Sequence, residues 1–181
     1  MKTILGVFAL AAMIASCNMP DKSADMKADA GKAKMQRFYD EVFNAHNAAA
    51  MDSFCTADFI DHNPGPGHDG KGLESVKADV KEFMAEYPDL HIKSNFMVSD
   101  GDKVVAHITL TGTNSGAMGT QPATNKTVDF DGIDVVTIKD GKATERWGYF
   151  DDMKMMRQLG MMPEHGAMPD QTAMKPEGEK K

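Results

Sequence analysis

"LHIKSNFMVSDGDKVVAHITLTGT", residues 90–113, decides the fold class, because its hydrophobic period is two. Leu90, Ile92, Phe96 and Val98 alternate with polar neighbours, Asp100-Gly101 turns the chain, and Lys103–Thr113 alternates again. Alternation sends successive side chains to opposite faces of a strand, so the stretch predicts an antiparallel hairpin. Upstream the period is helical. Met35, Phe38, Tyr39, Val42 and Phe43 predict an amphipathic helix from Lys32 to about Asn47, followed by a short helix, Ala48–Phe54, and a brief extended stretch at Phe59-Ile60. Leu73, Val76, Val80, Phe83 and Met84 predict a second long helix, closed at Tyr87-Pro88, where proline biases its predecessor away from helix.

Downstream, Gly112–Asn125 is a long polar connection, with Asn125 suited to left-handed backbone. Lys126–Ile138 predicts a third long strand, Asp140-Gly141 a turn, and Lys142–Phe150 a fourth strand. Asp151–Leu159 reads as a short helix stopped by Gly160. Helices first and antiparallel hairpins last give an α+β class, with helices packed on one face of a sheet. A curved antiparallel sheet wrapped around the N-terminal helices encloses a cone, and an apolar cone is the default ligand site.

The ends of the chain read as an address and a tail. Lys2 supplies a positive start, and Ile4–Met13 is apolar but shorter than the roughly 20 residues a bilayer span needs. Ile14-Ala15-Ser16-Cys17 resembles a bacterial lipobox, which implies cleavage before Cys17, lipidation of that cysteine and a place on the cell envelope, periplasmic or surface side. Acyl chains add roughly 0.8 kcal/mol per buried methylene, enough for a multiply acylated end to hold. The expected division is a signal peptide over 1–16, a lipidated cysteine and flexible tether over 17–30, one domain over 31–160, and a disordered Met-, Pro- and charge-rich tail over 161–181. Cys55 is the one remaining cysteine, so no intrachain disulfide framework is expected, and it reads as a small buried residue. A net charge of −7 argues against nucleic acid as a partner. The sixteen methionines include a tail group with His165 whose thioethers suit Cu(I), although gap-filling in the core explains methionine without a metal.

"FIDHNPGPGHDG", residues 59–70, crowds His62 and His68 near Asp58, Asp61 and Asp69. A metal site there lacks an obvious third nitrogen or thiolate, and the prolines and glycines are sufficiently explained as turn formers, so no metal is expected. His68, among glycines and prolines, is expected in solvent, and Asp61 is expected to cap or orient the loop.

The order of these pieces resembles the SnoaL-like polyketide cyclase (ester cyclase) branch of the nuclear transport factor 2-like superfamily. "FYDEVFNAHN" (38–47) fits the opening helix, "DFIDHNP" (58–64) the strand and loop, and "YPDLHI" (87–92) the exit from the second helix. "SDGDKVVAHITLTGTNSG" (99–116) fits the central hairpin, and "GTQPATNKTVDFDGIDVVTIKDGKATERWGYFDDMKMMRQLG" (119–160) the end. The resemblance implies a cone-shaped fold with a pocket between sheet and helices. It also implies intramolecular aldol ring closure without metal or organic cofactor, in which a buried carboxylate takes a proton beside a carbonyl. Counted back from "RQLG", the position of the family's acid/base aspartate falls on Gly148, and that of its partner histidine on Asp134. The fold and pocket carry over, and the cyclisation reaction does not.

Hairpin pairing tests the same region independently. A three-residue loop Lys139-Asp140-Gly141 sets Asp134 opposite Arg146, with Val136 and Gly148 on the same face. A two-residue Asp-Gly turn instead sets Val135 opposite Arg146. The first gives the better chemical match, an Asp134–Arg146 ion pair worth ~0.2–1 kcal/mol on a surface and able to orient a carbonyl or carboxylate in a pocket.

The candidate acid–base set is His62, Asp134 and Arg146. His62 is either a proton carrier at the pocket rim or a histidine satisfying the loop. Candidate ligand contacts are His107, Val136, Trp147, Tyr149 and Asp151. Trp147 and Tyr149 share the face opposite Arg146, as core, oligomer-interface or mouth residues, and Asp151 also suits a helix N-cap. Two functions follow. One is an envelope-anchored module binding a small apolar or carbonyl/carboxylate ligand. The alternative is a cofactor-free cyclase, isomerase or hydrolase using His62 and Asp134. Through the family's habit of pairing the exposed sheet face, the resemblance also implies a homodimer as one assembly, with the oligomeric state left open by the residues themselves.

Overall fold

The computed structural model describes residues 22–162. The signal segment 1–16, Cys17 and residues 163–181 of the tail lie outside the described residues.

The first helix, α1, runs Lys22–Phe38. It begins earlier than the periodicity from Lys32 suggests, so residues 22–30, expected as tether, are helical turns. At Tyr39–Asn44 the helix widens into a π-helical segment that buries Tyr39 and Val42. A 3₁₀ turn, Ala48–Ala50, leads into α2 (Met51–Phe54) and directly into β1 (Cys55–Asp61). The long helix α3 spans Leu73–Glu86. Then come β2 (His91–Asp100), β3 (Lys103–Thr113), β4 (Thr127–Lys139), β5 (Lys142–Phe150) and α4 (Asp152–Leu159). Asp151 caps α4, its side chain accepting the Lys154 amide, and Gly160 ends it at φ 74°.

The five strands stand in the order β1-β5-β4-β3-β2. Strands β2 to β5 are antiparallel, as the alternating pattern requires, but β1 joins β5 in parallel. The sheet is therefore mixed, and it stays open, with β1 and β2 as its edges. Parallel entry follows from connectivity: β1 is delivered from the helical half of the chain rather than through a hairpin.

The even-numbered residues of β3, Val104, Ala106, Ile108 and Leu110, are buried on the concave side beneath Met35 and Tyr39 of the first helix. A second cluster, including Val42, Met51, Phe54, Phe59, Leu73 and Val76, joins α2, β1 and α3. Methionine fills gaps between elements. The Tyr87 hydroxyl meets the thioether sulfurs of Met118 at 3.5 Å and Met155 at 3.9 Å. Asn114, fully buried, holds the long connection after β3: it donates to the Glu86 and Gly116 carbonyls and accepts from the amide and hydroxyl of Thr124. Asn125 does adopt left-handed backbone, at φ 53°.

Candidate functional site

The β4–β5 hairpin shapes the interior of the cone. Asp140 and Gly141 both have positive φ, 48° and 75°, and Lys139 pairs with Lys142. This is the two-residue turn, which matches the right-handed twist of the strands, rather than the three-residue loop. A bulge then absorbs Thr144, so that Thr137 faces Glu145, Val136 faces Arg146 and Asp134 faces Gly148. The expected pairing of Asp134 opposite Arg146 is thus two residues off. The assignment of faces survives, because turn and bulge together change the register by an even number.

Asp134 and Arg146 still meet, along the diagonal. The guanidinium of Arg146 lies over Gly148, where any Cβ would overlap it. Arg146 Nε and Nη2 each sit 2.7 Å from Asp134 Oδ1, and Nη1 sits 2.7 Å from Asp61 Oδ2. Asp61 is there because β1 pairs it with Arg146 across the parallel ladder. Its other oxygen accepts the Asn63 amide at 2.9 Å. Tyr39 donates its hydroxyl to Asp134 Oδ2 at 2.8 Å. Both carboxylates are buried, with Asp134 4 % and Asp61 5 % exposed.

Burial alone would drive the Arg146 guanidinium toward losing its proton, but the Asp134 and Asp61 charges more than reverse this and hold its pKa above the ordinary arginine value. Burial, followed by the charge and hydrogen bond of Asp134, pushes the Tyr39 phenol well above its usual range, so it remains a donor. Four groups at hydrogen-bond distance satisfy one another in a low-dielectric setting, as a buried ion pair requires.

Beside this cluster is a pocket of about 40 Å³, lined by Lys34, Met35, Phe38 and Tyr39 from the helix, by Phe54, Cys55 and Phe59, and by Asp134, Val136, Ile138, Ala143 and Arg146 from the sheet. Its walls are almost wholly apolar. Cys55 is 2 % exposed, and burial pushes its thiol up to about 12 against the pull of Lys142 and Lys34, so it lines the pocket as a neutral small residue.

Of the residues singled out in the sequence, Asp134, Arg146 and Val136 converge here. The others do not. His62 crosses to the outer face, stacks on Trp147 with ring centroids 4.2 Å apart and planes at 4°, and reaches Glu145 at 3.2 Å. His107 faces outward among Asn95 and Phe96. Tyr149 is 58 % exposed on that same outer face, and Asp151 caps α4. His68 is not free in solvent as expected. It packs on α3, with Nε2 2.9 Å from Glu82 and 4.0 Å from Asp79, and the Glu82 hydrogen bond raises its pKa. The two imidazoles of the 59–70 loop thus point to different elements. Among the described residues no three His, Cys, Asp or Glu side chains are grouped to hold a metal ion.

Tyr39 was not singled out by sequence reasoning, although a signal exists: a tyrosine on the buried stripe of a helix carries a hydroxyl that must find a partner. Lys34, Phe38, Phe54 and Phe59 were also missed as pocket residues, because only the packing of α1 on α2, and of α2 against β1 and β5, brings them together.

No curated protein matches the chain. Among solved structures, a candidate polyketide cyclase from Bacillus cereus is 29 % identical, with 74 % of this chain and 83 % of that one aligned at a TM-score of 0.63. TsrD from Streptomyces laurentii (24 % identity, 80 % and 100 % covered, TM-score 0.66) and a candidate polyketide cyclase from Acidithiobacillus ferrooxidans (24 %, 74 % and 96 %, 0.65) share the fold. The family model for the SnoaL-like polyketide cyclase matches residues 33–159, from the first helix through α4. With the open cone, the helical lid over its concave face and this match across most of the chain, the protein belongs to the SnoaL-like polyketide cyclase family.

Proposed function

We propose that the chain is a lipid-anchored envelope protein that binds a small apolar ligand in its cone and does not run an aldol cyclisation. The observation that carries this reading is the state of Asp134. It is the carboxylate nearest the pocket, and Arg146 and Tyr39 occupy both of its oxygens. A carboxylate that already accepts three short contacts, two of them from a guanidinium, would have to give up part of that stabilisation to take a proton from substrate. At Gly148, where the resemblance puts the family's acid/base aspartate, the Arg146 guanidinium fills the space. His62 and Asp134 lie on opposite faces of the sheet, so nothing in the geometry supports their acting together.

The anchor rests on Cys17 and the lipobox-like residues before it. A Cys17→Ser variant should move the protein from the membrane fraction to the soluble one. A homodimer through the outer sheet face is supported by Phe96, Val98 and Tyr149, each more than half exposed there. Sedimentation of wild type and Phe96→Glu tests it, with a monomeric wild type excluding it.

The binding reading is tested on full-length protein extracted in mild detergent. Native mass spectrometry should find a retained small molecule, or else isothermal titration should show uptake of 1-hexanol. Val136→Trp, which fills the pocket, should abolish either signal while leaving a cooperative thermal unfolding transition. A wild-type protein that carries nothing and takes up no apolar probe would remove the proposal.

A further inference from the structure

The two ends of the pocket differ in charge. Along β4 the lining runs from Asp134 through Val136 to Ile138, along β5 from Arg146 to Ala143, and along the helix from Tyr39 back to Lys34. Tyr39, Asp134 and Asp61 are buried, so the Tyr39–Asp134–Arg146 cluster is the floor, and the end near the β4–β5 turn, where Arg37, Asp52 and Lys142 are exposed, is the rim.

At the floor, two carboxylates face one guanidinium, and their polar atoms are turned toward one another rather than into the cavity. A charged head entering there would lose its water without gaining a partner, and an anion would also meet the excess negative charge. At the rim the balance is reversed. Lys34 Nζ lies 5.4 Å from the centre of the Phe54 ring, and the Arg37 guanidinium lies 5.6 Å from the same centre. Lys142 Nζ is beside them, donating to the carbonyls of Asp52 at 2.9 Å and Cys55 at 3.3 Å. The nearby acids are engaged: Asp52 holds Lys77, and Glu41 holds Arg37 at 2.8 Å. Among the described residues no carboxylate lies within ion-pair distance of Lys34. An unpaired lysine at the mouth of an apolar pocket, in a protein of net charge −7, is a local cationic spot with its stem already on the pocket wall.

We infer that the pocket takes a short-chain amphiphile with a carboxylate head. The alkyl chain lies against Phe38, Phe59, Val136 and Ile138, and the carboxylate stays at the rim on Lys34. This rests on the binding reading given above and adds to it the class of ligand and its direction of entry. The walls supply affinity in proportion to the apolar area covered, and Lys34 supplies the choice of head group.

The test compares hexanoate, 1-hexanol and hexylamine, which share one alkyl chain, by isothermal titration into the full-length protein. Hexanoate should bind more tightly than 1-hexanol by roughly threefold, the size of one partly exposed ion pair, and hexylamine should bind most weakly. Lys34→Gln should make hexanoate and 1-hexanol equal, any loss of contact with the lysine stem being shared by both, and Lys34→Glu should reverse the order of hexanoate and hexylamine. Equal binding of hexanoate and 1-hexanol to wild type, or a hexanoate preference that survives Lys34→Gln, would overturn the head-group assignment and leave the apolar pocket standing. If none of the three binds, the pocket reading falls as well.

Discussion

The two faces of strand β5 carry similar chemistry to opposite ends. Inward, Arg146 crosses Gly148 to join Asp134, Asp61 and Tyr39. Outward, Glu145 meets His62 at 3.2 Å, and His62 lies flat on Trp147. Each cluster contains an acid, a basic group and an aromatic ring. The inner carboxylates are about 5 % exposed or less, whereas the outer His62 and Glu145 side chains are 35 % and 29 % exposed. Water can replace a lost partner outside and cannot do so inside. The inner cluster is therefore all-or-none, and the outer one is adjustable.

Removing the inner cation should have the largest effect. Arg146→Met leaves Asp134 and Asp61 buried without their counter-charge and should cost ~3–5 kcal/mol in urea unfolding. Combining it with Asp61→Asn and Asp134→Asn should recover part of that loss; a triple variant as unstable as the single one would show that packing, not charge, is at stake. Tyr39→Phe deletes one hydrogen bond to a buried carboxylate and should cost ~1.5–3 kcal/mol. Gly148→Ala puts a methyl group where the guanidinium lies and should cost ~1–3 kcal/mol as a steric intrusion. A neutral Gly148→Ala would mean that Arg146 can leave Asp134 freely, and the inner cluster would then resemble the outer one.

On the outer face, His62→Ala should cost no more than ~0.5–1.5 kcal/mol, the scale of one ring–ring contact. Trp147 is the chain's only tryptophan, so its emission reports this face alone and should shift in that variant. The smallest effect is a pH dependence. The His62 hydrogen bond lowers the Glu145 pKa from its ordinary 4.5. A carboxyl depressed on folding stabilises the native state above its unfolded pKa, and that contribution is lost as pH falls through the lower folded value. Stability curves of wild type and Glu145→Gln should therefore converge below pH 4.5 and separate above it. Curves that stay parallel throughout would show that the His62–Glu145 contact carries no free energy.

Much of the fold is legible because it is written in local periods. The alternation of Lys103–Thr113 and Lys142–Phe150 sets both strands to the residue, and Tyr87-Pro88 and Gly160 stop their helices for backbone reasons that need no partner. Residues 22–30 are helical without an apolar stripe to announce it, so their sequence reads as tether. The hairpin register departs from the three-residue loop because a positive φ at Asp140 and the Thr144 bulge are settled by strand twist, not by composition. The parallel pairing of β1 with β5 is equally silent in sequence, and it is what brings Asp61 to Arg146.

The sequence by itself determined the class, the strands and which side chains share a face, since a period of two or 3.6 is a property of the backbone alone. Only the tertiary structure decided which groups meet. It sent His62 outward and His68 to α3, lowered Tyr39 onto Asp134, and laid the Arg146 guanidinium over Gly148. Those contacts join residues far apart in the chain, and the burial that makes them strong exists only once helix and sheet have closed on each other.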